Sequence, residues 1–371
     1  MSLEARLRER IQRYGPISFY EWMKSALYDE REGYYCAPRV RQGRVADYRT
    51  APETSPLFAA TFAGYFATLF EELGSPTQFT IIEAGAGSGD FAQGVLATLK
   101  AEHPQVFDAT RYVIEEVSAT SRERCLSRLG EFGRVAVRSP TVSAGNFLDR
   151  AEDRPADPIT GLILSNELID AFPVHRVVMR DNRLRQLFVG IDESQFIWQD
   201  RELEEAIAAY CKRIDLNLRE GQIAEINLDG EAFIARAAAS LKRGYVITVD
   251  YGGERDELLN APERQRGTLR AFRAHQFADD ILANPGQQDL TTTIDWTQIE
   301  EAGDRARLRT KRFDRLDQFL ISEGLLDRIA AIAKTVVDTP EALRLTTSAR
   351  ELILPNGMAA AFQVLIQEKA W

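Results

Sequence analysis

Apolar residues recur every four positions at Leu3, Leu7 and Ile11, the spacing that lines one face of a helix, and Pro16 ends the run. A second helical stripe follows at Phe19, Trp22, Met23, Ala26 and Leu27, preceded by Ser18 with Glu21 at the capping-box spacing. From Arg31 to Ser55 the pattern dissolves, with Gly33, Pro38, Gly43 and Pro52 interrupting it. Irregular stretches of this length inside a compact protein are usually functional or disordered. Tyr28, Tyr34, Tyr35 and Tyr48 favour function here. An apolar helix through Phe58–Leu73 then leads into a series of short apolar runs that read as buried strands: Phe79–Glu83, Arg111–Glu116, Arg134–Arg138, Gly161–Ser165 and Gly244–Asp250. Helical stretches beginning near Phe91 and spanning Ala119–Leu129 separate the first of them. That alternation predicts parallel βαβ units, hence a doubly wound α/β fold with its ligands at the carboxyl ends of the strands.

Two departures from the βα pattern stand out. Arg176–Trp198 alternates apolar and polar residues around Arg180-Asp-Asn-Arg183, which is hairpin chemistry. Gly253–Gln298 reads as a second irregular stretch, Arg315–Val337 as helical, and Phe362–Gln367 as a final strand. The expected organisation is a helical and lid segment over 1–56, a core over 57–255 carrying the hairpin insertion near 176–198, a substrate-side insertion over 256–335, and a C-terminal helix and strand over 336–371 that complete the core.

With 371 residues the chain can bury a sizeable core. Its 46 Lys and Arg against 56 Asp and Glu give a net charge of −10, which argues against a general nucleic-acid binder, since that needs a basic footprint. Cys36, Cys125 and Cys211 are far apart and show no ligand spacing, so no metal site or disulfide framework is indicated. No apolar run is long enough to span a bilayer. Glu4 and Glu9 among the arginines of the first fifteen residues suit no targeting peptide, so a cytoplasmic location is expected. The basic run Arg305, Arg307, Arg309, Lys311, Arg312 and Arg315 is interspersed with Asp304 and Asp314 and reads as a solvated helix face rather than a docking site for an acidic partner.

The candidate chemistry begins at Glu83-Ala-Gly85-Ala-Gly87-Ser-Gly89, a glycine turn between a strand and a helix. Glycines let the backbone approach a ligand closely, and the helix that follows offers free N–H donors. The spacing is G-x-G-x-G, which fits the dinucleotide fingerprint of an NAD-dependent oxidoreductase poorly. Glu83 would repel a pyrophosphate and suits a cationic ligand such as the methionyl part of S-adenosylmethionine. Glu116, at the end of the next strand, is placed to accept hydrogen bonds from both hydroxyls of a ribose. Ser165-Asn166-Glu167-Leu-Ile-Asp170-Ala-Phe172-Pro173 ends a later strand of the series, where such folds place catalytic groups, and helical spacing would set Glu167 and Asp170 on one side. His175 lies just beyond, but two carboxylates and one histidine are poor evidence for a metal.

These segments occur in a fixed order with Phe19-x-x-Trp22-Met23, Gly33-Tyr34-Tyr35, Thr50-Ala-Pro52-Glu53, Glu116-Val-Ser118, Val249-Asp250-Tyr251-Gly252, Gly267-Thr-Leu-Arg270-Ala-Phe-Arg273 and Asp289-Leu-Thr291. Together they resemble the MidA-like methyltransferases, the family of the mitochondrial complex I assembly factor, over nearly the whole chain. The resemblance implies a class I, Rossmann-like fold, S-adenosylmethionine as cofactor with S-adenosylhomocysteine as product, and, from the mitochondrial relative, transfer to arginine of a protein substrate. Departures occur at Ser88 and Asp90 in the glycine turn, at Ala46 and Tyr48 beside Asp47, and at Met358–Gln363; they bear on the acceptor more than on the cofactor.

An arginine acceptor is protonated, so its site needs carboxylates that hold the guanidinium charge while a proton leaves. Glu167 and Asp170 suit that role, Glu53 joins them if the N-terminal segment folds over the cleft, and Asn166 would orient the acceptor. Tyr34 and Tyr35 would form an apolar or cation-binding wall. Glu83, Gly85, Gly87, Gly89 and Glu116 are the expected cofactor-binding residues. Two alternatives stay open: a small-molecule O- or N-methyltransferase, and an assembly chaperone that binds the cofactor without transferring methyl groups.

Overall fold

The computed structural model describes residues 1–37, 55–140, 158–193, 195–273, 276–335, 340–354 and 358–369. Its main sheet runs, from one edge to the other, through the strands Leu308–Arg315, Phe362–Lys369, Leu241–Gly253, Ile159–Asn166, Phe79–Ala84, Thr110–Glu115 and Val135–Arg138. The five strands from Leu241–Gly253 to Val135–Arg138 are mutually parallel, while Phe362–Lys369 is antiparallel to both of its neighbours. Chain order therefore reverses between Phe79–Ala84 and Ile159–Asn166. Ligands of open α/β sheets bind at such a reversal, outside the carboxyl ends of the strands. The fold thus puts the glycine turn after Glu83 and the segment after Asn166 side by side.

Both faces of the sheet are buried, which explains the continuous apolar runs. Ile81, Leu164 and Ile247 face one core with Phe58, Phe62, Phe66, Phe91 and Phe319. Their neighbours Ile82, Ile163 and Val246 face a second core with Phe19, Trp22, Phe172, Phe233 and Trp296. The helix Leu3–Tyr14 buries Leu3, Leu7 and Ile11. The helix Phe19–Tyr28 starts at Ser18, whose hydroxyl accepts from the Glu21 N–H at 3.3 Å.

The hairpin insertion belongs to a second, antiparallel sheet built from His175–Arg180, Arg183–Asp192, Gln195–Arg201, Ile223–Ile226 and the short Ile17–Ser18. Its turn falls at Asp181 and Asn182, both with positive φ (49° and 62°), the conformation that a tight two-residue hairpin demands and that Asp and Asn tolerate.

Three expectations change. Gly253–Gln298 is not irregular throughout: it holds the helix Arg255–Asn260 and the short strands Arg270–Arg273, Gln276–Phe277, Asp289–Thr291 and Ile294–Asp295. Strands of two to four residues are too short to leave an alternating pattern. Among the described residues, the helical stretch after Arg315 divides into Leu316–Ser322 and Leu325–Thr335, broken at Gly324, whose φ is 90°.

The basic run is not a helix face either. Its Leu308–Arg315 portion is an edge strand, and its charges are neutralised: Arg309 by Glu368, Lys311 by Glu72, Arg312 by Asp314 and Glu323, and Arg315 by Asp317. Period two and period 3.6 are hard to tell apart where nearly every residue is charged. Charged side chains on an edge strand also protect it from pairing with another chain.

Candidate active site

At the reversal point lies a cleft holding about 970 Å³ of empty space, open solvent at its mouth included. Its lining includes Glu83, Gly85, Gly87, Glu116, Ser118, Asn166 and Glu167, with Tyr28 and Tyr35 contributed by the N-terminal segment. Gly89 sits one step back, as the residue before the helix Asp90–Glu102.

The three glycines of the turn all have positive φ: 74° at Gly85, 55° at Gly87 and 79° at Gly89. At Gly85 a Cβ would lie 2.8 Å from the Leu168 side chain, so the residue is needed for packing as well as for the turn. A Cβ at Gly87 would meet nothing within 4 Å, so the backbone stands bare on the cleft lining and a ligand can approach it closely. Ser88 and Asp90, the departures within the turn, bond to each other, and Asp90 pairs with Arg128.

Glu83 is only 3% exposed, and the Tyr112 hydroxyl donates to it at 2.7 Å. Burial pushes its carboxyl from an ordinary 4.5 up to about 8, with the Tyr112 bond opposing the rise and the nearby Glu116 adding to it. On that scale the ionised form is disfavoured by on the order of 5 kcal/mol. A group in this state is stabilised by a cation. Glu116 has both oxygens occupied by backbone donors, the Gly87 N–H and the Ser118 N–H, each at 2.8 Å. Burial raises its carboxyl too, and these two bonds oppose the rise. The Arg122 guanidinium donates to the carbonyls of Glu116 and Val117, each at 2.8 Å, fixing the backbone from which Glu116 projects. A buried carboxyl awaiting a cation, a second carboxylate tied to the turn and a bare glycine backbone fit a nucleoside with a positively charged tail.

Asn166 and Glu167 share the lining, but Asp170 does not. The expectation that Glu167 and Asp170 lie on one side is corrected by the backbone. Glu167 takes a left-handed conformation (φ 49°), and the short 3-10 turn Ile169–Ala171 begins only after it. Asp170 is thereby turned inward, where the Tyr251 hydroxyl donates to it at 2.5 Å. Asp250 fastens the same loop, accepting from the N–H groups of Ile169 and Asp170 at 3.2 and 3.3 Å. Burial raises both aspartyl carboxyls. Glu53 lies outside the described residues. His175 stacks on Tyr20 with ring centroids 4.7 Å apart, and burial lowers its pKa to about 4.

Tyr35 lines the cleft, whereas Tyr34 packs edge-on behind it at 5.1 Å. Sequence reasoning passed over Tyr112 and gave no site role to Leu168 or Ser118, though both fall in motifs it singled out. Tyr112 was within reach of it, because the register Ile81↔Tyr112 puts its side chain on the same sheet face as Glu83.

Residues 61–313 match the family described as "Putative S-adenosyl-L-methionine-dependent methyltransferase". The chain belongs to this family. It is similar to a Burkholderia thailandensis protein whose crystal structure holds S-adenosyl-homocysteine, with 28% identity, a TM-score of 0.83 and coverage of 99% of this chain and 91% of the other. The enzyme is a methyltransferase with a class I-like fold, and its cofactor is S-adenosylmethionine.

Among curated proteins it is similar to the Drosophila melanogaster homolog of protein arginine methyltransferase NDUFAF7, at 26% identity over 80% of this chain and 69% of the relative. The Danio rerio protein arginine methyltransferase NDUFAF7 is 25% identical over 98% of this chain and 86% of the relative. Both relatives are named mitochondrial, which overturns the cytoplasmic location expected above. The charge pattern of the first fifteen residues, on which that expectation rested, does not decide the compartment.

Proposed function

We propose that the enzyme transfers methyl groups to arginine of a protein substrate. The observation that carries this reading is Glu167, a carboxylate set on the cleft lining by a left-handed backbone, in a chain whose relatives are named protein arginine methyltransferases. When bound, the cofactor supplies an electrophilic methyl group on a sulfonium that leaves as a neutral thioether. Glu83 would hold the cationic methionyl end and Glu116 the ribose hydroxyls, and Gly85, Gly87 and Gly89 give the backbone room beside them.

Glu167 holds the charge of the acceptor guanidinium and takes the proton that the nucleophilic nitrogen must lose. Asn166 orients the acceptor: its Oδ1 is buried without a hydrogen-bond partner, so an acceptor N–H would satisfy it. Asp170 acts at one remove, by keeping the loop after Glu167 fastened to Tyr251 and Asp250. Glu53 remains a further candidate carboxylate.

The test is incubation of the purified enzyme with methyl-labelled S-adenosylmethionine and a cell lysate, followed by acid hydrolysis of the protein fraction. Label in methylated arginine is expected. Label in small molecules would replace the reading with a small-molecule methyltransferase, and label in neither fraction despite tight cofactor binding would leave an assembly role.

A further inference from the structure

Two of the tyrosines that donate their hydroxyls to aspartates do so at short distance around this cleft. Tyr251 donates to Asp170 at 2.5 Å, and Tyr35 donates to Asp289 at 2.6 Å. The first pair already carries a cation: the Arg270 guanidinium sits over the Tyr251 ring, 4.6 Å from its centroid. A phenol hydrogen-bonded to a carboxylate has an electron-richer ring, and the carboxylate adds its own attraction, so a planar guanidinium is a good occupant of such a face. Of the second pair, Tyr35 lines the cleft, and Asp289 holds its hydroxyl from behind that lining.

Tyr35 is also barred from acting as a hydrogen-bond donor to a ligand, because Asp289 occupies its hydroxyl. Tyr28 is in the same position, its hydroxyl being given to the Ala171 carbonyl at 3.1 Å. Their rings lie 5.5 Å apart, tilted by 37°, and Tyr34 packs edge-on against Tyr35 at 5.1 Å and holds it in place. With both hydroxyl protons committed to the protein, this wall donates no hydrogen bond to a ligand and offers it aromatic surface. Such a surface discriminates cations from neutral polar groups rather than reading hydrogen bonds. Glu167 and the unpartnered Asn166 Oδ1 stand on the same lining.

We infer that Tyr35, held by Asp289, is the seat for the acceptor's guanidinium and repeats in the cleft the Tyr251–Asp170–Arg270 arrangement beside it. The inference rests on the arginine reading above and adds its specificity determinant. Asp289 is a positioning residue: it acts through Tyr35, and its carboxylate adds to the attraction.

The test uses the enzyme saturated with S-adenosylhomocysteine and two probes, a Gly-Arg-Gly amide and its citrulline counterpart, which has nearly the same shape without the charge. Binding is followed by NMR titration. Wild type should prefer the arginine peptide about tenfold. Tyr35→Leu should lower the arginine-to-citrulline ratio about fivefold, the preference that remains coming from Glu167, and Asp289→Asn should reduce it about threefold, both with S-adenosylhomocysteine affinity kept within about twofold. A purely structural role would change cofactor affinity and both peptides together and leave the ratio alone. Should Tyr35→Leu fail to fold, Asp289→Asn decides by itself.

An unchanged ratio in the variants, or no preference in wild type, overturns the seat. The lysate assay stands apart from this outcome. Methylarginine in the lysate without a peptide preference sinks the seat alone, whereas a preference without methylarginine sinks the arginine reading and leaves a guanidinium-binding site.

Discussion

The proposed cofactor end and the proposed acceptor end of the cleft are built in opposite ways. At the cofactor end, Glu83 and Glu116 sit at the ends of adjacent parallel strands, and Glu116 is bonded to the N–H of Gly87 within the turn itself. Every part lies within a few residues of a strand end, so backbone geometry alone brings the parts together. At the acceptor end, Tyr35 reaches Asp289, 254 positions away in the chain, and Tyr28 reaches Ala171, 143 positions away. That wall exists only once the N-terminal helices and the late insertion have packed onto the sheet. The cofactor end is therefore the part a methyltransferase scaffold can hold constant, while the acceptor end can be altered by changing distant segments.

The comparison makes separable predictions. The largest concerns Glu83. Its folded-state pKa is raised to about 8 from an ordinary 4.5, so between those values the native protein retains a proton that the unfolded chain has lost. Stability from this group is then lost as pH rises, by up to on the order of 5 kcal/mol. Glu83→Gln removes the effect and can still accept from Tyr112. Denaturant unfolding should show the variant gaining on wild type by several kcal/mol between about pH 5 and pH 8. A gap that stays the same at both pH values would mean that the carboxyl is not buried as described.

Next in size is Glu116→Ala, which deletes the carboxylate and leaves the Gly87 and Ser118 N–H groups without their acceptor. S-adenosylhomocysteine affinity measured by calorimetry should fall about a hundredfold, roughly 3 kcal/mol. A smaller effect is expected at the acceptor end. Glu167→Gln should slow methyl transfer about tenfold while cofactor affinity stays within about twofold. If it weakened cofactor binding as much as Glu116→Ala does, the division of the cleft into two ends would fail.

The same division explains what could be read from the chain. The strand Phe79–Ala84, the glycine turn and Glu116 were legible because each is a local signal: an apolar run, a backbone requirement and a carboxylate at a strand end. The hairpin was legible from Asp181-Asn182 for the same reason. The directions of Glu167 and Asp170 were not. A single left-handed residue at Glu167 breaks the helical spacing, and what holds it there is the loop's attachment to Asp250 on another strand. Nor was the strand Leu308–Arg315, where charges blur the period, or the meeting of Tyr35 with Asp289, which local pattern does not encode. The motif residues Asp250, Tyr251, Arg270 and Asp289 were visible in the sequence as part of a family resemblance. The bonds of Asp250 and Tyr251 to Asp170, of Asp289 to Tyr35, and the seating of Arg270 over Tyr251 became visible only in three dimensions.

The most direct test of the cofactor end is the proton balance of S-adenosylmethionine binding, measured by calorimetry at pH 7 in buffers of different ionisation enthalpy. Glu83 is mostly protonated at that pH and must ionise to meet the ligand's positive charge, so wild type should release about one proton more than Glu83→Gln. Equal proton release by the two proteins would contradict the account.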